Sequence, residues 1–184
     1  MLRHLTAAAL LLLFVGLSPA AHASLIGDQF AAEYDFPGVG NLWDGPYGPI
    51  TATGSNNPMF NLDQDLPGGI VNVSVTSGQI ILGFNYGGYQ FSGGAFNGVV
   101  LTNVSKLFSN VALDASTNLP GFTSSFWSWS GNQLFVDFEG LNFETENQVV
   151  FNASDVPEPS TLAIISIALL SLLGAASIRR HKAQ

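Results

Sequence analysis

The side chains able to do chemistry in this sequence are almost all carboxylates. Asp137 and Glu139 stand two apart, as do Glu144 and Glu146, and Asp63 and Asp65 open the stretch Asp63-Gln64-Asp65-Leu66-Pro67-Gly68. Two carboxylates on one strand face lie about 7 Å apart, within the range used in glycoside hydrolysis by one acid and one nucleophile or base. The commoner role of such residues is to keep the wet face of a strand soluble and to discourage edge pairing, and that role is preferred for both pairs. The Asp63–Gly68 stretch begins like a calcium loop, with Asp at positions one and three and Gly at six. It departs at position five, where Pro67 brings no side-chain oxygen, and at position twelve, where Ser74 replaces Glu. Asp63 and Asp65 are therefore read as an Asp-rich turn ahead of a strand. Calcium there is a secondary expectation, and no other cofactor or metal is expected.

Aromatic side chains offer a different chemistry, stacking on sugar rings. Phe126-Trp127-Ser128-Trp129 places Trp127 and Trp129 on one strand face, a candidate stacking surface. Ser124, Ser128 and Ser130 share the opposite face with Phe126, so that face is the more polar one and the two tryptophans are expected to point toward the core. Trp43, Tyr47, Tyr86 and Tyr89 occupy Gly- and Pro-rich segments and are expected in loops.

What is missing restricts the function further. All three histidines (His4, His22, His181) lie near the chain ends, cysteine is absent, and between Ser24 and the tail Lys106 is the single basic side chain. Nucleophilic catalysis by Ser or Thr needs a nearby base, usually His or Lys. Zinc prefers nitrogen or sulfur ligands, and anionic substrates prefer an Arg clamp. An ordinary active site is therefore not expected, and the chain is read as a non-enzyme. The formal net charge is -8, with every acidic residue between Asp28 and Glu158. Such a domain repels nucleic acid and anionic lipid.

The elements that must position these residues lie between two apolar ends. Met1-Leu2-Arg3-His4 precedes an apolar run from Leu5 to Leu17, then Ser18-Pro19 and Ala21-His22-Ala23. A basic start, a short apolar centre and small residues at the -3 and -1 positions predict a signal peptide over residues 1–23. Signal peptidase would cut after Ala23, leaving Ser24 first. At the other end, Leu162 to Ile178 is apolar and Arg179-Arg180-His181-Lys182 follows. At about 1.5 Å per residue that run spans roughly 25 Å as a helix, enough to cross a bilayer. The basic cluster sets the tail inside and the domain outside.

Just before this run stands Val156-Pro157-Glu158-Pro159-Ser160-Thr161. This hexapeptide, one apolar helix over 162–178 and the basic tail over 179–182, with Arg179 and Arg180 leading, resemble the PEP-CTERM sorting signal of Gram-negative bacteria. The resemblance covers residues 156–182. It implies recognition by an exosortase, a membrane-embedded cysteine protease, followed by removal of the tail. It also implies a setting in exopolysaccharide and biofilm matrix. A GPI signal would end in its apolar tail without a basic cluster. A cell-wall sortase signal would carry Leu-Pro-x-Thr-Gly, which is missing.

Residues 24–155 are expected to form the exported domain. Val71-Asn72-Val73-Ser74-Val75-Thr76 alternates strictly, Gly78 turns, and Ile80 to Phe84 returns, which predicts a hairpin with one dry face. Further strands are predicted at Gly98–Leu101, Val111–Leu113, Phe122–Trp129, Leu134–Phe138, Leu141–Phe143 and Val149–Phe151. Asn41–Pro58, with three prolines, is expected to be a long surface loop. Short strands about ten residues apart predict an all-β, antiparallel β-sandwich or jelly-roll-like domain. The expected role is a structural or adhesive protein of the cell surface or extracellular matrix, delivered through an inner-membrane intermediate. A carbohydrate-binding module for exopolysaccharide is the alternative, and a carboxylate-only glycoside hydrolase the third reading.

Overall fold

The computed structural model describes residues 24–55 and 57–156, which belong to one compact unit, Ala23–Val156. The signal peptide, with Ala21 and Ala23, the apolar helix and the sorting residues from Pro157 onward lie outside the described residues. Ser24 and Val156 are both described and exposed. Among the described residues no helix is long and apolar enough to cross a membrane.

The domain is all-β and antiparallel. One five-stranded sheet runs β2 (Leu42–Thr51), β1 (Gln29–Asp35), β7 (Gly98–Asn103), β10 (Gln133–Asp137), β9 (Trp127–Ser130). The other runs β3 (Phe60–Leu62), β4 (Val71–Val75), β5 (Gln79–Phe84), β12 (Gln148–Asp155), β8 (Phe108–Leu113). A short ribbon pairs β6 (Tyr89–Gln90) with β11 (Asn142–Phe143). The alternation of the sequence decides the inner faces. Phe30, Ala32 and Tyr34 of β1, Leu134 and Val136 of β10, Val71, Val73 and Val75 of β4, and Ile80, Leu82 and Phe84 of β5 are all buried in one apolar core. Each large side chain among them contributes about 1.5–3 kcal/mol on burial, and together they make the sandwich-like arrangement. The hairpin expected at Val71–Phe84 forms in the register Val75↔Ile80 to Val71↔Phe84.

Two expectations about longer segments are corrected, and Tyr89, expected in a loop, opens the short strand β6. Asn41–Pro58 is not a loop over most of its length, because β2 occupies ten of its residues. The strand lies at a sheet edge, paired only with β1, where proline costs no ladder bond. Its register with β1 is Asp44↔Tyr34, Tyr47↔Ala32, Ile50↔Phe30: three residues of β2 pass for every two of β1. Gly45-Pro46 and Gly48-Pro49 supply the bulges. Gly48, at φ +101°, has room for nothing larger, since a Cβ would sit 2.6 Å from the Phe30 carbonyl oxygen. The second correction is Phe122–Trp129. The chain there makes one turn of 3₁₀ helix over Ser124–Phe126 and becomes strand only at Trp127.

Candidate functional site

An open cleft of about 310 Å³ lies where the ends of β1, β2 and β3 meet the β6–β11 ribbon. Its carboxylates come from the turn after β3. Asp63 takes the left-handed conformation, φ +60°, which Asp tolerates better than most residues. The turn closes when Ile70 N–H donates to the Asp63 carbonyl at 3.0 Å, and Gly69 is required because a Cβ would lie 2.8 Å from the Leu62 carbonyl oxygen. Asp63 is only 6 % exposed, whereas Asp65, two residues on, faces water at the same cleft.

Aromatic rings form the walls. Trp43 of β2 acts on the Asp63 carboxyl through its indole, which pulls that group's proton affinity down, and meets the Phe36 ring edge-on at 5.8 Å. Tyr89 of β6 stacks on Phe143 of β11 at 6.2 Å. Behind it Phe143, Phe91, Phe84 and Phe138 pack ring to ring, with Phe91–Phe143 at 4.4 Å. Trp43 and Tyr89 nevertheless stay 52 % and 51 % exposed. Half of each large ring faces water while its orientation is fixed from behind. Tyr34, buried at the base, donates its hydroxyl to Asn97 Oδ1 at 2.7 Å, and Asn97 Nδ2 donates to the Ser92 carbonyl.

The charges of this cleft are not answered within it. Burial first, then repulsion from Asp65 and Asp44, pushes Asp63 up to about 6, against the smaller opposing pull of the Trp43 indole and the Asp65 backbone N–H. Burial, then Asp63, Asp137 and Asp65, holds the Tyr34 phenol well above its ordinary range. Asp44 is itself tied down, accepting from Tyr47 Oη at 2.7 Å and from the Gln64 N–H at 3.2 Å.

The other residues singled out by sequence have different surroundings. Trp127 packs edge-on against Phe151 at 5.0 Å, partly buried on the core side, while Trp129 lies 36 % exposed near the border of the same face. Trp127 lines a shallow cleft with Phe96, Phe126 and Asp137, and Trp129 is not part of that lining. The pair Asp137 and Glu139 is not a strand-face pair, since β10 ends at Asp137. Asp137 Oδ1 accepts from the N–H groups of Asn97 and Glu139, and Glu139 Oε1 from Gly94, so both staple the segment before β7 in place. Glu144 and Glu146 lie in the turn between β11 and β12 rather than on a strand. Among the described residues no group of three or more His, Cys, Asp or Glu is placed to hold a metal ion.

Tyr34, Asp44 and Asn97 were missed by sequence reasoning. Asp44 beside Trp43 was the available signal, but its strand repeats every three residues, and nothing local says that it folds over Asp63. No family model matches this chain, and no curated protein or solved structure matches it either.

Proposed function

We propose that this chain is an exported surface protein whose jelly-roll-like sandwich binds carbohydrate in the cleft between Trp43 and Tyr89, in an adhesive or structural role within an extracellular polysaccharide matrix. The observation that carries the reading is the pair of half-exposed rings, each held from behind by a phenylalanine, at one cleft. Flat apolar faces fixed in this way are suited to the C–H faces of sugar rings, and little ordering entropy remains to be lost on binding. Carboxylates beside them are acceptors for hydroxyl groups. The delivery half rests on the sequence: the leader ending at Ala23, the Val156–Thr161 motif, and the apolar and basic tail that an exosortase would remove.

A second reading, hydrolysis, has one observation in its favour. Asp63, pushed up to about 6, shares the cleft with Asp65, the pattern of an acid beside a second carboxylate. One preparation separates the two. Full-length protein is titrated with extracellular polysaccharide, with and without calcium, and compared with Trp43→Ala and Tyr89→Ala. Binding that both variants lose supports the proposal; equal binding by all three proteins counts against it. Release of sugar that Asp63→Asn abolishes would put hydrolysis in its place. Delivery is checked by mass spectrometry of the mature protein, expected to start at Ser24 and end near Pro157-Glu158-Pro159. A chain running through Gln184 in an exosortase-competent host would refute that half.

A further inference from the structure

The carbohydrate reading leaves the sugar unnamed, and the cleft's charge narrows it. A neutral sugar needs hydrogen-bond acceptors, which backbone carbonyls or Asn side chains supply at lower cost than a buried carboxylate. Here Asp63 is 6 % exposed, with Asp65 and Asp44 close enough to repel it. The two groups that draw its proton affinity down, the Trp43 indole and the Asp65 N–H, are both neutral. From Ser24 to Val156 the sequence has one basic side chain, Lys106, and its ammonium contacts Asp155 at 2.6 Å and Asp28 at 3.0 Å in another part of the fold. Compensation for the cleft must therefore come from outside the domain. The rings point the same way, because the face of a tryptophan is the strongest aromatic partner for a cation.

Resting on the carbohydrate reading, we propose that the occupant is a polysaccharide bearing free amino groups, its ammonium against Asp63 and Asp65 and its ring face on Trp43. Two half-exposed flat rings favour a pyranose over a basic peptide, whose lysine would use the carboxylates and leave the second ring idle. An anionic polysaccharide meets only repulsion at this cleft.

The experiment is calorimetric titration of the full-length protein, near neutral pH and low salt, in a non-ionic detergent without a sugar head group. The probes are a β-linked glucosamine hexamer and its fully N-acetylated counterpart, identical in backbone and different in charge. The amino form is expected to bind at least about tenfold more tightly, a preference that salt weakens. Asp65→Asn, at an exposed position where folding is not at risk, should cut that preference severalfold, and Asp63→Asn should cut it further. Trp43→Ala should weaken both oligomers. Equal affinity for the two forms would overturn this inference and leave the carbohydrate reading standing. Binding of neither would overturn this inference, while the titration with extracellular polysaccharide decides the carbohydrate reading separately. A lysine-rich peptide that binds as tightly, and loses affinity with Asp65→Asn, would replace the sugar by a protein partner. Calcium chloride titrating into the same residues and blocking the oligomer would also overturn it.

Discussion

Apart from Asp35, which is buried by itself and accepts from the Gly40 N–H, the buried carboxylates of the described domain fall in two places that treat them oppositely. At one, Asp28 and Asp155 are almost wholly enclosed, and the Lys106 ammonium bridges them at 3.0 and 2.6 Å. Asn103, fully buried, donates to Asp28 at 2.8 Å and accepts from the N–H groups of Ser105 and Lys106. At the other, Asp63 is nearly as enclosed but meets only neutral donors and two further carboxylates. Asp28 precedes β1 and Asp155 ends β12, so Lys106 fastens the segments that open and close the described domain. A carboxylate pair bridged by a cation from within the chain, even with one Asp155 oxygen left without a hydrogen bond, is a structural clasp. One left incomplete beside exposed rings is a place for something else to bind.

Lys106→Met tests the clasp and carries the largest expected effect. The bond to Asp155, then that to Asp28, holds the ammonium well above its ordinary range, so its contribution is fully present at neutral pH and is lost only in strong alkali. Its removal leaves two buried carboxylates without a counter-charge, at a cost of about 3 kcal/mol or more. Urea unfolding of the variant should show that loss, with binding at the cleft unchanged in the fraction that remains folded. A loss below about 1 kcal/mol would make the bridge an ordinary surface pair.

Trp43→Ala tests the cleft in the opposite way. Half of the ring is already in water, so unfolding free energy should fall by only about 1 kcal/mol, while polysaccharide affinity falls about tenfold or more. A large stability loss with unchanged affinity would make Trp43 a core residue and dissolve the contrast between the two groups.

Asp63→Asn is expected to stabilise the protein at neutral pH. The sign follows from the raised value: the folded state holds the proton more tightly than the unfolded chain, whose Asp titrates near 3.9. Stability from this group is therefore full below about pH 4 and is lost as pH rises through about 6. Asn keeps the left-handed turn and escapes the charge, so a gain of about 1–2 kcal/mol is expected near pH 7.5 and almost none at pH 4. Melting temperatures of both proteins across that range decide it. The wild-type group gives up stability where the clasp gains it, the stability cost expected of a binding site.

How much of this the residues announced depends on the pattern that carries each element. Val71–Val75 and Leu134–Phe138 alternate with period two; the first appears as placed, and the second forms one residue earlier, as Gln133–Asp137, with Leu134, Val136 and Phe138 still buried. Strand β2 was illegible because Gly45-Pro46 and Gly48-Pro49 impose a three-residue step, which brings Asp44, Tyr47 and Ile50 opposite inward-facing residues of β1 without any alternation. The site suffered for the same reason. Asp63 and Asp65 were recognisable as a pair and Trp43 as a loose aromatic, yet their meeting depends on an edge strand that sequence period cannot reveal. Asn103 heads an Asn-Val-Ser triplet, a pattern common in exposed loops, yet its burial makes it part of the clasp.

The smallest effect separates two causes of the open group's behaviour. Asp65 is exposed, so Asp65→Asn should leave stability within about 0.5 kcal/mol of wild type. It removes one of the two like charges that raise Asp63, while burial, the larger cause, stays. Titration of the Asp63 carboxyl carbon by NMR should therefore show a midpoint that moves down from about 6 but remains above the ordinary aspartate range. A midpoint that falls all the way to that range would mean repulsion, not burial, sets the value. An incoming ammonium would then gain mainly by screening Asp65 and Asp44 at the cleft mouth. A midpoint that stays raised places the gain at the buried carboxylate itself. Water is scarce there, and each tenfold rise in its proton affinity represents about 1.4 kcal/mol that a bound cation can recover.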